Sequence, residues 1–263
     1  MNKVAVVTGG SSGIGLCVCR RLRDMGCRVY ELSRRDFEER GVEHICCDVT
    51  DERSVNDAVA KIAQDANRID ILVCNAGFGI AGAVEFTSTA DAQRQLDVNF
   101  FGAVRCVKAV LPIMRLQGGG RIVCTSSVAA PVAIPFQSYY SVSKAAINSF
   151  VQSLQCEVRP FGISVCAVMP GDIKTGFTAA REKTPAGDEE YFGRISRSIA
   201  VMEHDEQNGM APEKVGAYIA KIATKKRVKP LYAVGIAYKA AAVVAGLLPC
   251  GLRSRIVGMI YAK

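Results

Sequence analysis

Val4-Ala5-Val6-Val7-Thr8-Gly9-Gly10-Ser11-Ser12-Gly13-Ile14-Gly15 is the stretch that decides the fold. The apolar and β-branched run to Thr8 reads as a strand buried on both faces, and the apolar periodicity resuming at Ile14 and reaching Met25 reads as a helix. Between them lies a glycine-rich turn. Glycines let a backbone approach a ligand closely, and a helix N-terminus offers unpaired N–H groups and a favourable dipole, so strand, turn and helix together make a seat for a pyrophosphate. The spacing here is G-x-x-x-G-x-G. Taken alone, such a loop also serves as an ordinary tight turn.

Working outward, short apolar runs recur at 28–32, 44–47, 69–75, 121–126 and 163–169, and helical periodicity fills 52–65, 90–116 and 138–159. Strands alternating with helices predict right-handed crossovers and a parallel sheet covered on both faces. Helix ends carry matching punctuation in Gly26, Gly118–Gly120 and Pro160-Phe161-Gly162. The least regular stretch, 172–210, is long and polar, as a substrate lid would be. No repeat or linker divides the chain, so a single domain over 1–263 is expected.

Composition narrows the function classes. An apolar share of 49% with 22% charged residues excludes a disordered chain. The 11 cysteines are odd in number, lack C-x-x-C spacing and sit mostly inside apolar runs. They read as free thiols of a reducing, cytoplasmic compartment. With His44 and His204 the only histidines, no metal site is expected. The apolar run near the N-terminus stops at Gly9, too short for a secretory segment. The net charge of +8 collects in the tail, where 221–263 holds nine Lys or Arg and no Asp or Glu. Nothing there resembles a nucleic-acid recognition motif, so no nucleic-acid partner is expected.

Two further places carry chemistry. The second strand ends Glu31-Leu32-Ser33-Arg34-Arg35. An acidic residue at that end would grip an adenosine ribose hydroxyl, whereas Ser33 beside the Arg34 guanidinium suits a 2′-phosphate. NADP(H) is therefore expected over NAD(H), with Glu31 on the ribose as the alternative. Tyr140 and Lys144, four apart on a helix, share one face. A neighbouring ammonium favours the phenolate, which would let the phenol exchange a proton near neutral pH.

These motifs occur together and in register, and the chain resembles the short-chain dehydrogenase/reductase family. It matches T-G-x-x-x-G-x-G at Thr8–Gly15, N-A-G at Asn75-Ala76-Gly77, Y-x-x-x-K at Tyr140–Lys144 and P-G at Pro170-Gly171. The resemblance implies a Rossmann-type, doubly wound parallel sheet in three α/β/α layers, hydride transfer between a ketone and a secondary alcohol, and a nicotinamide cofactor. It implies Tyr140 as acid or base, Lys144 beside it, Ser127 holding the substrate oxygen (the spacing to Tyr140 selects it over Ser126), and Asn99 holding a water behind Lys144. Tyr140 and Lys144 also face the cofactor. Its phosphates would lie on Gly9, Ser11, Ser12, Gly13, Ile14 and Gly15, its adenosine near Ser33, Arg34, Asp48, Val49, Asn75, Ala76 and Gly77, and its nicotinamide under Gly171, Ile173 and Thr175. Asp48 could instead cap the helix that follows.

Ser11–Leu16, Asn75–Gly79, Val98–Gly102 and Pro160–Ile163 resemble the 17β-hydroxysteroid dehydrogenase-like branch most. A steroid, bile-acid or other lipid-like ketone is the implied substrate class, with Phe177, Tyr191, Phe192, Ile195 and Met202 in the lid. A nucleotide-sensing regulator on the same fold, or a 3-oxoacyl reductase, are the alternatives. Homodimers or homotetramers through the helices at 90–116 and 138–159 are implied. The apolar 231–250 is broken by Gly235, Lys239, Gly246 and Pro249. It is read as the end of a buried strand (228–234) and a helix covering the pocket, with no membrane span and peripheral membrane contact as the alternative.

Overall fold

Alternation within the first strand sets the layers. In β1 (Val4–Thr8), Val4 and Val6 join one buried cluster while Ala5 and Val7 join the other, on the opposite face of the sheet. The structure, a computed structural model, describes residues 2–262; Met1 and Lys263, the ends of the expected domain and the last cation of the tail, lie outside them. After β1 come α1 (Gly13–Asp24), β2 (Arg28–Ser33), β3 (Glu43–Cys46), α2 (Glu52–Ala66), β4 (Ile71–Cys74), β5 (Ile80–Ala81), α3 (Thr89–Leu96), α4 (Gly102–Leu116), β6 (Gly120–Thr125) and α5 (Ser138–Val158). The chain continues through β7 (Ile163–Met169), α6 (Phe177–Ala180), β8 (Glu182–Lys183), α7 (Arg194–Gln207), α8 (Pro212–Thr224), β9 (Leu231–Ala233), α9 (Ile236–Leu247) and α10 (Cys250–Tyr261).

Seven parallel strands form the central sheet in the order β3-β2-β1-β4-β6-β7-β9. Helices α2, α4 and α5 cover one face around Ile62, Val107 and Val151, and α1 and α8 cover the other around Val18, Leu22 and Ile219. This is the expected doubly wound α/β/α architecture. The chain crosses from one side of β1 to the other between β3 and β4, which opens a crevice at the strand C-termini where such sheets bind ligands. Thr8 stands opposite both Leu32 and Cys74, so the glycine turn, the β2 end and the Asn75 loop meet there.

The periodic stretch 90–116 is not one helix. A five-residue π-helical segment, Asp97–Phe101, separates α3 from α4, with the Gly102 N–H donating to the Asp97 carbonyl. The tail also departs from expectation: β9 is three residues long, and α9 is no buried cover, since Ala245 is its one buried residue. The Tyr238 ring reaches back over Gly171, while most of the helix stands exposed.

Candidate active site

The glycine turn is built as a ligand seat. A Cβ on Gly15 would lie 2.2 Å from the Gly9 carbonyl oxygen and 2.6 Å from Asn75 Nδ2, so only glycine lets α1 start this close to the loop. Gly9, at φ +64°, needs the left-handed backbone that glycine accepts. Thr8 Oγ1 receives the Asn75 and Ala76 N–H groups at 3.0 and 3.1 Å. Asn75 Nδ2 donates to the Gly9 carbonyl at 3.2 Å, and its Oδ1 accepts from Thr125. Asn75 thus braces β1 against β6. Ser12 precedes α1 in extended conformation, and no side chain among the described residues caps the helix. Uncapped N–H groups at the mouth of the crevice, with the Thr175 side chain 3.7 Å from where a Gly13 Cβ would stand, fit a dinucleotide's phosphates.

At the end of β2, Glu31 is already engaged. Its carboxylate is fully buried under Gly10 and pairs with His44 Nδ1 at 2.6 Å, the residue opposite it on β3. Ser33 is half-buried, and the Arg34 guanidinium is exposed 3.9 Å from Asp48 Oδ2. Asp48 does not cap α2; Asp51 does, accepting from the Arg53 N–H. Asp48 Oδ1 instead accepts from the Thr50 N–H and hydroxyl. Burial opposes ionisation of Asp48, but the Thr50 donors and Arg34 hold its carboxyl below the usual range. Val49 packs its side chain against Gly102 in the core, and Ile173 does likewise in the other cluster, so either would meet a ligand through its backbone.

The four catalytic candidates converge across the sheet from α1. Ser126 and Ser127 follow β6. Ser126 Oγ donates to the Lys144 carbonyl, which leaves Ser127 to reach the Tyr140 phenol by hydrogen bond. Burial pushes Tyr140 up to about 12, with that Ser127 bond pulling against it. Lys144 Nζ donates to the Thr125 carbonyl at 2.9 Å and lies 5.5 Å from the Tyr140 ring centre. Burial lowers Lys144 to about 8. Burial, the largest influence on the phenol, raises it, the opposite direction to the one a neighbouring ammonium favours. Asn99, in the π-helical segment, exchanges two bonds with the Phe78 backbone and donates to Ser143 Oγ at 3.1 Å. Ser143 in turn donates to the Tyr140 carbonyl at 2.7 Å. A Cβ on Gly77 would come within 3.0 Å of Asn99 Oδ1 and 3.7 Å of Lys144 Nζ, so these groups share one small space.

Residues 172–210 form a clip over this end. Ile173 bridges Met210, with the Met210 N–H donating to the Asp172 carbonyl and the Lys174 N–H to the Met210 carbonyl. Inside, the Phe177 ring lies 5.7 Å from that of Tyr140, tilted 58° to it, and the buried Arg181 pairs with Glu206. Arg181 Nε and Nη1 find no acceptor among the described residues. Tyr238 of α9 donates to Asp172 Oδ2 at 2.5 Å, and its ring closes on Gly171. Thr8, Ser143, Arg181 and Tyr238 escaped the sequence reading as site residues. Thr8 and Ser143 lie inside the matched motifs and were within reach; Arg181 and Tyr238 arrive from distant segments that carry no local signal.

The short chain dehydrogenase family model matches residues 3–186. The chain belongs to the short-chain dehydrogenase family. It is an oxidoreductase that acts on CH–OH groups with a nicotinamide dinucleotide as partner. Among its relatives, the 3-ketodihydrosphingosine reductase of Bacteroides thetaiotaomicron is 40% identical over 227 residues, spanning 85% of this chain and 84% of that protein. The 2-(R)-hydroxypropyl-CoM dehydrogenase of Xanthobacter autotrophicus is 37% identical over 210 residues, spanning 74% and 84%. A solved short-chain dehydrogenase from Streptomyces avermitilis superposes with a TM-score of 0.83 at 28% identity, covering 97% of this chain and 94% of that one.

Proposed function

We propose that this short-chain dehydrogenase is an NADPH-dependent reductase of long-chain, apolar ketones, and that 3-ketodihydrosphingosine is the first substrate to test. The observation that carries the reading is the buried phenol of Tyr140, joined to Ser127 and faced by the Phe177 ring 5.7 Å away, protonated at neutral pH as phenols are. A protonated phenol is the form that reduction consumes. NADPH, when bound, supplies the hydride to the carbonyl carbon. Ser127 and Tyr140 then hold the developing alkoxide as preorganised donors, and the Tyr140 proton passes to that oxygen. Lys144 and Asn99 lie behind the phenol, on the side from which it would be reprotonated. The apolar wall of Phe177 favours a hydrocarbon chain, and the unpaired N–H groups of Arg181 favour a second oxygen on the substrate. The Bacteroides relative reduces, by its name, a ketone of this kind. Burial of Glu31 and exposure of Arg34 favour the 2′-phosphate of NADPH.

The test is NADPH and NADH consumption with 3-ketodihydrosphingosine, steroid and bile-acid ketones and a 3-oxoacyl ester. Turnover should be fastest with NADPH and the sphingoid ketone, and Tyr140→Phe should lower kcat by about a thousandfold while NADPH still binds. Undiminished turnover in that variant removes Tyr140 from its role. Tight NADPH binding with no turnover on any ketone would make the protein a nucleotide sensor instead.

A further inference from the structure

The described part of the tail, 231–262, carries Lys239, Arg253 and Arg255 and no Asp or Glu. It folds into two helices that the rest of the molecule barely covers: α9 buries Ala245 alone and α10 buries Val257 alone. At helical spacing, Ile236, Val243 and Leu247 on α9 and Leu252, Ile256 and Met259 on α10 stand exposed, Ile236 at 88% and Leu247 at 80%. Arg253 Nη1 donates to the Ala245 carbonyl at 3.0 Å, which joins the two helices into one surface. Apolar surface of that kind marks an interaction site in a folded protein.

Its position is as telling as its composition. Tyr238, in the first turn of α9, holds Asp172 and covers Gly171 at the start of the lid. Tyr261 and Ala262, at the end of α10, pack on the lid cluster of Phe136, Ile195 and Met202, and Arg194 Nε reaches the Ala262 carbonyl at 2.8 Å. The surface therefore frames the substrate side of the crevice. We propose that α9 and α10 are a docking surface for an anionic lipid bilayer, lying in the plane of its interface beside the substrate entrance. A helix of 12 residues is about 18 Å long, well short of a hydrocarbon core of about 30 Å, and no described helix is long and apolar enough to cross a membrane. Apolar stripes edged by cations alone are the pattern of helices that lie in the headgroup region of anionic membranes. A second copy seated on this face would bring Lys239 and Arg255 toward like charges with no carboxylate of either helix to pair them. The docking surface stands on the helix pair itself; only its purpose, delivery of a long-chain ketone from the bilayer, rests on the reading above.

The chain has no tryptophan, so Leu247→Trp installs a single reporter. With vesicles of phosphatidylcholine and phosphatidylglycerol, its emission should shift to the blue and the protein should sediment with the lipid. Pure phosphatidylcholine should hold it less, and added salt should release it. Val243→Asp with Met259→Asp should lower vesicle partition about a hundredfold, roughly tenfold for each apolar side chain lost to the interface. Thermal unfolding and turnover of a short, water-soluble ketone should stay unchanged in that variant. The proposal is overturned if the wild-type chain stays in the supernatant with both lipids. It is equally overturned if the indole emission of the Leu247→Trp variant is already blue-shifted without lipid and light scattering shows a mass that halves in the double variant, since the face would then join two copies. Failure of every ketone to react, with vesicle binding intact, would strike the substrate reading and leave the docking surface standing.

Discussion

Tyr140 and Lys144 lie on one helical face, as their spacing requires, yet burial drives their proton affinities in directions the spacing does not show. The four-residue spacing speaks only to the attraction between ammonium and phenolate. The structure adds two facts it could not supply: both groups are withdrawn from water, and Lys144 Nζ is tied to the Thr125 carbonyl. Lys144 has a testable consequence for stability. Its folded value of about 8 lies below the ordinary lysine value of 10.5, so between those limits the unfolded chain binds the extra proton. Stability from this residue is complete above the upper limit and is lost as pH falls through the lower one, by roughly 3 kcal/mol. Lys144→Met should therefore unfold at higher temperature than the wild type at pH 7 while losing activity, and the gap should narrow on raising the pH to about 10. A gap that does not change with pH would mean that the ammonium is not desolvated. Ser126 and Ser127 differ in a way that their sequence does not show: the Ser126 hydroxyl bonds to the Lys144 carbonyl, and the resemblance points to its neighbour Ser127.

Strands were legible because a parallel sheet buried on both faces leaves continuous apolar runs, and β1, β7 and the core of β2 lie where those runs lie. The break at Asp97–Phe101 was not legible. A π-helical turn adds one residue to a helix without interrupting its apolar stripe, and what holds it here is tertiary: Asn99 bonded to Phe78 and Ser143. The tail was misread for a related reason. Its apolar content matches that of a buried helix, and only the fold shows that α9 is mostly exposed, with Ala245 its one buried residue. Tyr238 ties the element to the lid through Asp172. Tyr238→Phe removes the 2.5 Å bond to Asp172 and the acceptor for the Asp172 N–H, so it should cost about 1–2 kcal/mol in denaturant unfolding. Proteolysis within 172–210 should also quicken, because the lid loses its anchor while the sheet keeps its own. Unchanged cleavage in that variant would detach α9 from any role in holding the lid.

At the scale of the molecule, the crevice collects parts that the chain keeps far apart: the β2 end at Ser33, the uncapped start of α1, the Asn75 loop, and Thr175 at the root of the lid. A dinucleotide lying across them would clamp elements from both halves of the sheet, and whatever binds the folded state alone raises its stability by mass action. NADPH at a hundred times its Kd should add about 2.7 kcal/mol. For a chain of this size that is a rise in Tm of about 5–10 °C. If the proposed preference for NADPH holds, Arg34 is the residue to change, because its exposed guanidinium lies 3.9 Å from Asp48 at the end of β2. Arg34→Ala should weaken NADPH about tenfold and so remove about 1.4 kcal/mol of that stabilisation at the same concentration. The shift produced by NADH should stay where it was, since a ribose hydroxyl offers the guanidinium no charge to pair with. Equal losses for both cofactors would place Arg34 outside the 2′-phosphate site and leave the choice of cofactor to Ser33 and Asp48.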